Sequence, residues 1–174
     1  MYTRQDGLVR YRDDVYSSNG LTWDTHNNKF YYIDSCKFDI KEYDWDPSTG
    51  RIYNEKIAYD FRINGEFTGY TADGMTINRN GLLWVGLFKG NSIVAIDPVC
   101  HKVVKNITIP AHQVTAAVFG GPNLDEIFVT TAGRPFDIQI GERDSVPEPP
   151  LSGYLFQITG LKSRGYAPYE LRCI

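Results

Sequence analysis

Short apolar runs separated by polar turns fill the chain, and no stretch sustains the 3.6-residue apolar period of an amphipathic helix. The runs predict strands in three groups. The first comprises Gly20–Asp24, Phe30–Asp34, Asp39–Asp44 and Ile52–Asp60, and the second Met75–Asn78, Leu82–Phe88, Ser92–Asp97 and Val103–Ile109. The third comprises Ala116–Gly120, Ile127–Ala132 and Gly153–Thr159, interrupted by a Pro- and charge-rich insertion at Gly133–Pro150. Ahead of all of them, Gly7–Val15 predicts a lone strand with no partner upstream. Thr71–Gly74 reads as a polar approach to the second group rather than as strand.

The turns repeat along with the strands. Asn80-Gly81 joins two strands of the second group and is a dipeptide favoured in tight hairpins. Asp46-Pro47-Ser48-Thr49-Gly50 closes the third strand onto the fourth, and Asp97-Pro98-Val99-Cys100-His101 stands in the same place 51 residues later. Asn19-Gly20-Leu21 and Asp73-Gly74-Met75 introduce two copies of one unit, and a third begins near Thr115. The intervals of 54 and 42 residues sit near the ~40–50 residues of a propeller blade. An irregular all-β sandwich would show the same short strands. The recurring order of turn types favours an all-β β-propeller, with four strands to a unit and the third unit incomplete.

Composition agrees and narrows the partners. The 174 residues are 42% apolar, enough for a core, with 12 Tyr, 9 Phe and 3 Trp. A net charge of −3 gives no basic footprint for nucleic acid or an anionic membrane. No apolar run approaches the ~20 residues of a membrane helix, and the first residues carry no apolar signal-peptide core. Cys36, Cys100 and Cys173 are far apart and odd in number, which argues against a disulfide framework and makes a reducing compartment, the cytosol, the expectation. Asn106-Ile107-Thr108 is a formal glycosylation sequon that matters only in a secreted protein.

The candidate chemistry lies where the units begin. The residue introducing a blade's innermost strand lies near the mouth of the central channel, which singles out Asn19 and Asp73, with Thr115 third. Amide and carboxylate oxygens are hard ligands that suit Ca²⁺ or Mg²⁺, and Zn²⁺ or Mn²⁺ in a tighter site. The competing reading is structural, because Asn-Gly and Asp-Gly are turn dipeptides in their own right. Two ligands are also few against the six to eight oxygens that Ca²⁺ takes. His26, His101 and His112 share no ligand spacing, and no nucleophile elbow is present. Asp13-Asp14 and Asp44/Asp46 read as turn and surface carboxylates, and Trp23, Trp45, Trp84 and Tyr31-Tyr32 as core or inter-blade packing.

These segments resemble the regucalcin (senescence marker protein) family, which includes gluconolactonases and luciferin-regenerating enzymes. The resemblance runs through SSNGLTWD (Ser17–Asp24), FYYIDS (Phe30–Ser35), YDWDPSTGRI (Tyr43–Ile52) and ADGMTINRNGLLWV (Ala72–Val85). It continues through IDPVCHKV (Ile96–Val103), VFGGPNLDEIFVTTA (Val118–Ala132) and SGYLFQITGLKSRGYAPYE (Ser152–Glu170). It implies a six-bladed propeller with one divalent cation at its axis, Ca²⁺ first, with Zn²⁺, Mg²⁺ or Mn²⁺ as alternatives. It also implies Asn19 and Asp73 as metal ligands, Asp73 as the residue that activates water, and a sugar lactone as substrate. The family's remaining Glu ligand and its sugar-gripping Arg and Asn side chains belong to blades upstream of this sequence. On that comparison residues 1–174 cover three to four blades of an incomplete propeller, with 1–18 the remnant of a preceding blade. The functions to separate are a metal-dependent lactonase, a calcium-binding or regulatory propeller without catalysis or a truncated inactive isoform, and an interaction scaffold.

Overall fold

The computed structural model of the chain describes residues 2, 3, 7–134, 147 and 149–168. Among them, two short strands, β1 (Tyr2–Thr3) and β2 (Gly7–Leu8), pair with each other. The first main sheet follows chain order as β3 (Ser18–Asp24), β4 (Lys29–Asp34), β5 (Asp39–Trp45) and β6 (Ile52–Asp60). The second is β7 (Thr71–Ile77), β8 (Leu83–Phe88), β9 (Ser92–Asp97) and β10 (Lys102–Thr108). The third is β11 (Val114–Gly120), β12 (Glu126–Thr131) and β13 (Leu155–Ile158). All are antiparallel meanders, and β7, the first strand of its sheet, packs between β3 and β11, the first strands of the other two. Sheets stacked face to face, with their first strands side by side, form part of a β-propeller.

Two apolar seams hold the sheets together. Tyr31, Ile33 and Ile40 of the first sheet meet Met75, Ile77, Val85 and Ile96 of the second. From the opposite face of the second sheet, Trp84, Ile93 and Ala95 meet Ala117, Phe119, Ile127 and Val129 of the third. Covered on both faces, β8 is buried at every position, which is why its sequence shows no polar alternation. The end sheets differ. Leu21 and Trp23 occupy the places in β3 that Met75 and Ile77 occupy in β7, yet are 47% and 40% exposed against 8% and 4%. Trp23 is therefore not a core residue. On the far side of the third sheet Val118 and Leu155 are likewise exposed.

The turns use the predicted chemistry with local variations. The Asp46 carboxylate accepts the Ser48 amide and the Asp97 carboxylate accepts those of Val99 and Cys100, and the chain then leaves each turn through a positive φ, at Gly50 and at His101. The His101 ring nitrogen Nδ1 lies 2.7 Å from the Ala58 carbonyl oxygen. At Asn80-Gly81 only Gly81 has positive φ, so this is not the two-residue turn that the dipeptide suggests. The Asn78 side chain accepts the amides of Asn80 and Leu82 and organises a wider turn.

Other expectations require correction. Only Gly7–Leu8 of the predicted strand Gly7–Val15 is strand, and it does have an upstream partner, Tyr2–Thr3. Past Val9 the chain crosses the open face of the first sheet, where Arg12 bonds to Tyr43 and Glu55. Thr71–Gly74 lies inside β7 because Thr71 and Ala72 pair with Phe88 and Leu87. Most of the insertion Gly133–Pro150 and Cys173 lie outside the described residues. Cys36 and Cys100 are free thiols. No helix among the described residues is long and apolar enough to cross a membrane.

Candidate functional site

Each sheet's first strand breaks register at the same place. The ladder slips between Ser18 and Leu21 in β3, between Ala72 and Met75 in β7, and between Val114 and Ala116 in β11. A bulge bends the strand and re-aims the side chain it carries. Asn19, Asp73 and Thr115 are the residues at these three slips.

The glycines that follow Asn19 and Asp73 are not turn residues, and neither takes a positive φ. Their requirement is space. A Cβ on Gly20 would lie 2.6 Å from the Asp73 carbonyl oxygen, and one on Gly74 would lie 2.7 Å from the Ala116 Cα and the Thr115 carbonyl oxygen. The turn reading of Asn-Gly and Asp-Gly is thereby overturned: both dipeptides lie within strands, where neighbouring backbones approach too closely for a side chain.

The bulges bring Asn19 and Asp73 into contact. The Asn19 side chain lies beside the Asp73 carboxylate, although the two residues are 54 positions apart. Burial pushes the Asp73 carboxyl up to about 6, and the Asn19 amide only partly offsets this. Asn19 Nδ2 donates to Ser35 Oγ at 3.2 Å, and Ser35 Oγ donates to the Ala72 carbonyl at 2.7 Å. Ser35 is buried in the single 3₁₀ turn after β4, whose preceding residue, Asp34, accepts the amides of Tyr16, Ser17 and Cys36.

Thr115 does not join the pair. Its hydroxyl lies 2.8 Å from that of Thr130 on the neighbouring strand of its own sheet. Among the described residues no three His, Cys, Asp or Glu side chains converge as a metal-binding group. Two surface clefts, one beside Arg79 and Lys162 and one over Trp23 and Tyr43, are lined by neither Asn19 nor Asp73.

The pair nonetheless fits a hard cation in donor type. It offers a carboxylate and an amide oxygen, and among the described residues no cationic side chain compensates the desolvated carboxylate. It supplies part of a coordination shell, not all of it. Sequence reasoning located Asn19 and Asp73 but passed over Ser35. The available signal was a serine ending the apolar run FYYID, where a small hydroxyl residue closes a buried strand.

The family model for the SMP-30/gluconolactonase/LRE-like region matches residues 1–133. The chain is 40% identical over 161 residues to YvrE of Bacillus subtilis (strain 168), whose name assigns it as a sugar lactone lactonase, covering 92% of this chain and 52% of that protein. It is 35% identical over 163 residues to human regucalcin, covering 94% and 52%. A solved luciferin-regenerating enzyme superposes with a TM-score of 0.79 at 35% identity over 93% of this chain and 51% of that one. The chain thus spans about half the length of the relatives it matches.

Proposed function

Because the chain belongs to the SMP-30/gluconolactonase/LRE-like family, we propose that it carries part of the metal site of a lactone hydrolase. Asn19 and Asp73 serve as ligands to a divalent cation, Ca²⁺ first by donor type, and Asp73 also serves as the base in opening a sugar lactone. The observation that carries this reading is the contact between the two side chains at matching bulges of adjacent strands, with the Asp73 carboxyl pushed up to about 6.

A divalent cation bound there would draw charge from the lactone carbonyl and stabilise the oxyanion that water attack creates. Asp73 does the proton work. A carboxyl titrating near 6 is largely ionised at neutral pH and is a stronger base than an ordinary aspartate. Water oxygen bonds to the carbonyl carbon while its proton passes to Asp73. The ring C–O bond then breaks, and the departing oxygen takes that proton back, leaving an open-chain hydroxy acid. Asn19, beside that carboxylate, favours its ionised form.

A second reading is cation binding without hydrolysis, which the carboxylate and amide donors support equally. The cytosol is the compartment we propose for either reading, since three widely spaced cysteines suit a reducing environment. Calorimetric titration with Ca²⁺ alongside pH-stat hydrolysis of gluconolactone tests both. The lactonase reading expects binding and turnover, each lost in Asp73→Ala; binding without turnover leaves the second reading, and turnover that survives in excess chelator overturns the first.

A further inference from the structure

Counting hydrogens around Asn19 determines which atom of its amide remains open. The Ala72 carbonyl, at the edge of the β7 bulge, can only accept, so the Ser35 hydroxyl proton is committed to it at 2.7 Å. Ser35 Oγ then has only lone pairs for Asn19, and the amide must turn Nδ2 towards it, at 3.2 Å. With Nδ2 turned onto Ser35, Oδ1 is the amide atom that faces away from this bond and is left for a ligand. Ser35 itself has little freedom, being buried with its amide donating to the Ser17 carbonyl at 3.0 Å.

We infer that Ser35 is a positioning residue that sets the Asn19 amide so that Oδ1, not Nδ2, is presented to a divalent cation. The inference rests on the reading of Asn19 and Asp73 as ligands. Ser35 touches neither cation nor substrate; it acts through Asn19, as the outer partners of metal ligands do. Its hydroxyl also ties the first strand of one sheet to that of the next, so one side chain fixes both the orientation and the spacing of the pair.

A double-mutant cycle tests this, comparing the wild-type chain with Ser35→Ala, Asn19→Ala and the double variant. Ca²⁺ affinity is read by calorimetry and the Asn19 side-chain amide by nitrogen-15 NMR. Ser35→Ala is expected to weaken Ca²⁺ about 10-fold and to shift the Asn19 amide resonances, because Nδ2 is no longer held on the hydroxyl. Ser35→Thr, which keeps the hydroxyl, should restore both. Once Asn19 is alanine, removing the hydroxyl should not change Ca²⁺ affinity further. If Ser35→Ala does not fold, Ser35→Cys, close in volume but with a weak donor and acceptor, should show the same losses. Losses of affinity equal with and without Asn19, or wild-type values in Ser35→Ala, overturn the proposal. A wild-type chain that binds no Ca²⁺ removes the proposed function instead, and the Asn19 amide resonances alone still decide whether Ser35 holds that side chain.

Discussion

A Cβ on Gly20 would lie 2.6 Å from the backbone carbonyl oxygen of Asp73, so the first strands of two sheets touch beside both candidate ligands. The obstacle is main chain and cannot rotate away. Gly20→Ala and Gly74→Ala are therefore expected to destabilise the chain by about 2–3 kcal/mol, the upper range for overpacking. Urea unfolding checks this. Wild-type midpoints in both variants would show that the strands separate freely, and the contact between Asn19 and Asp73 would then have no rigid support.

Asp73 should make stability depend on pH. Its carboxyl is raised from 3.8 to about 6 by burial. Below about pH 3 the group is protonated in the folded and unfolded chain alike, and its contribution is nil. Above about pH 7 it is ionised in both, and the folded chain bears the full cost of the buried charge, about 1–3 kcal/mol. Asp73→Asn should accordingly be more stable than wild type at pH 8 in the presence of chelator, with the difference closing by about pH 3. A gap independent of pH would assign the effect to packing.

A bound cation should reverse that cost. At a Ca²⁺ concentration about 100 times its dissociation constant, binding to the folded state alone adds about 2.7 kcal/mol of stability. Thermal unfolding of the wild-type chain should move upward with Ca²⁺ and return on chelation, whereas Asp73→Asn and Asn19→Ala should respond weakly. Equal shifts in all three would place the ion elsewhere on the molecule.

Matched positions on the first and second sheets should respond differently to truncation. Met75 is 8% exposed in a seam between sheets, and Met75→Ala should cost about 2–4 kcal/mol. Leu21, its counterpart one sheet earlier, is 47% exposed, and Leu21→Ala should cost under about 1 kcal/mol. Chemical unfolding of the two variants makes the comparison. Comparable losses would mean that the open face of the first sheet is covered in solution.

Much of the architecture was legible because it is local. Apolar runs bounded by Asp, Asn, Pro and Gly located the eleven strands of the three main sheets to within a few residues. The two turns 51 residues apart leave their last position in the same left-handed conformation, once with Gly50 and once with His101. The start of β7 was misjudged because Thr71–Gly74 looks polar and breakable, whereas pairing with Phe88 and Leu87 makes Thr71 and Ala72 strand. The chemistry of Trp23 suits core or inter-blade packing, and its 40% exposure depends on whether a sheet lies over it.

The amino-acid order alone determined the strands, the repeat of their turns and the candidacy of Asn19 and Asp73, since these depend on residues near one another in the chain. Tertiary structure decided the rest. It converted two apparent turn dipeptides into bulges, because only packed sheets bring the Asp73 carbonyl against Gly20. It brought Asn19 to Asp73, turned Thr115 away to Thr130, and placed Ser35 between β3 and β7. Contacts between residues this distant in sequence are set by how the faces of the sheets stack, and no local pattern carries that information.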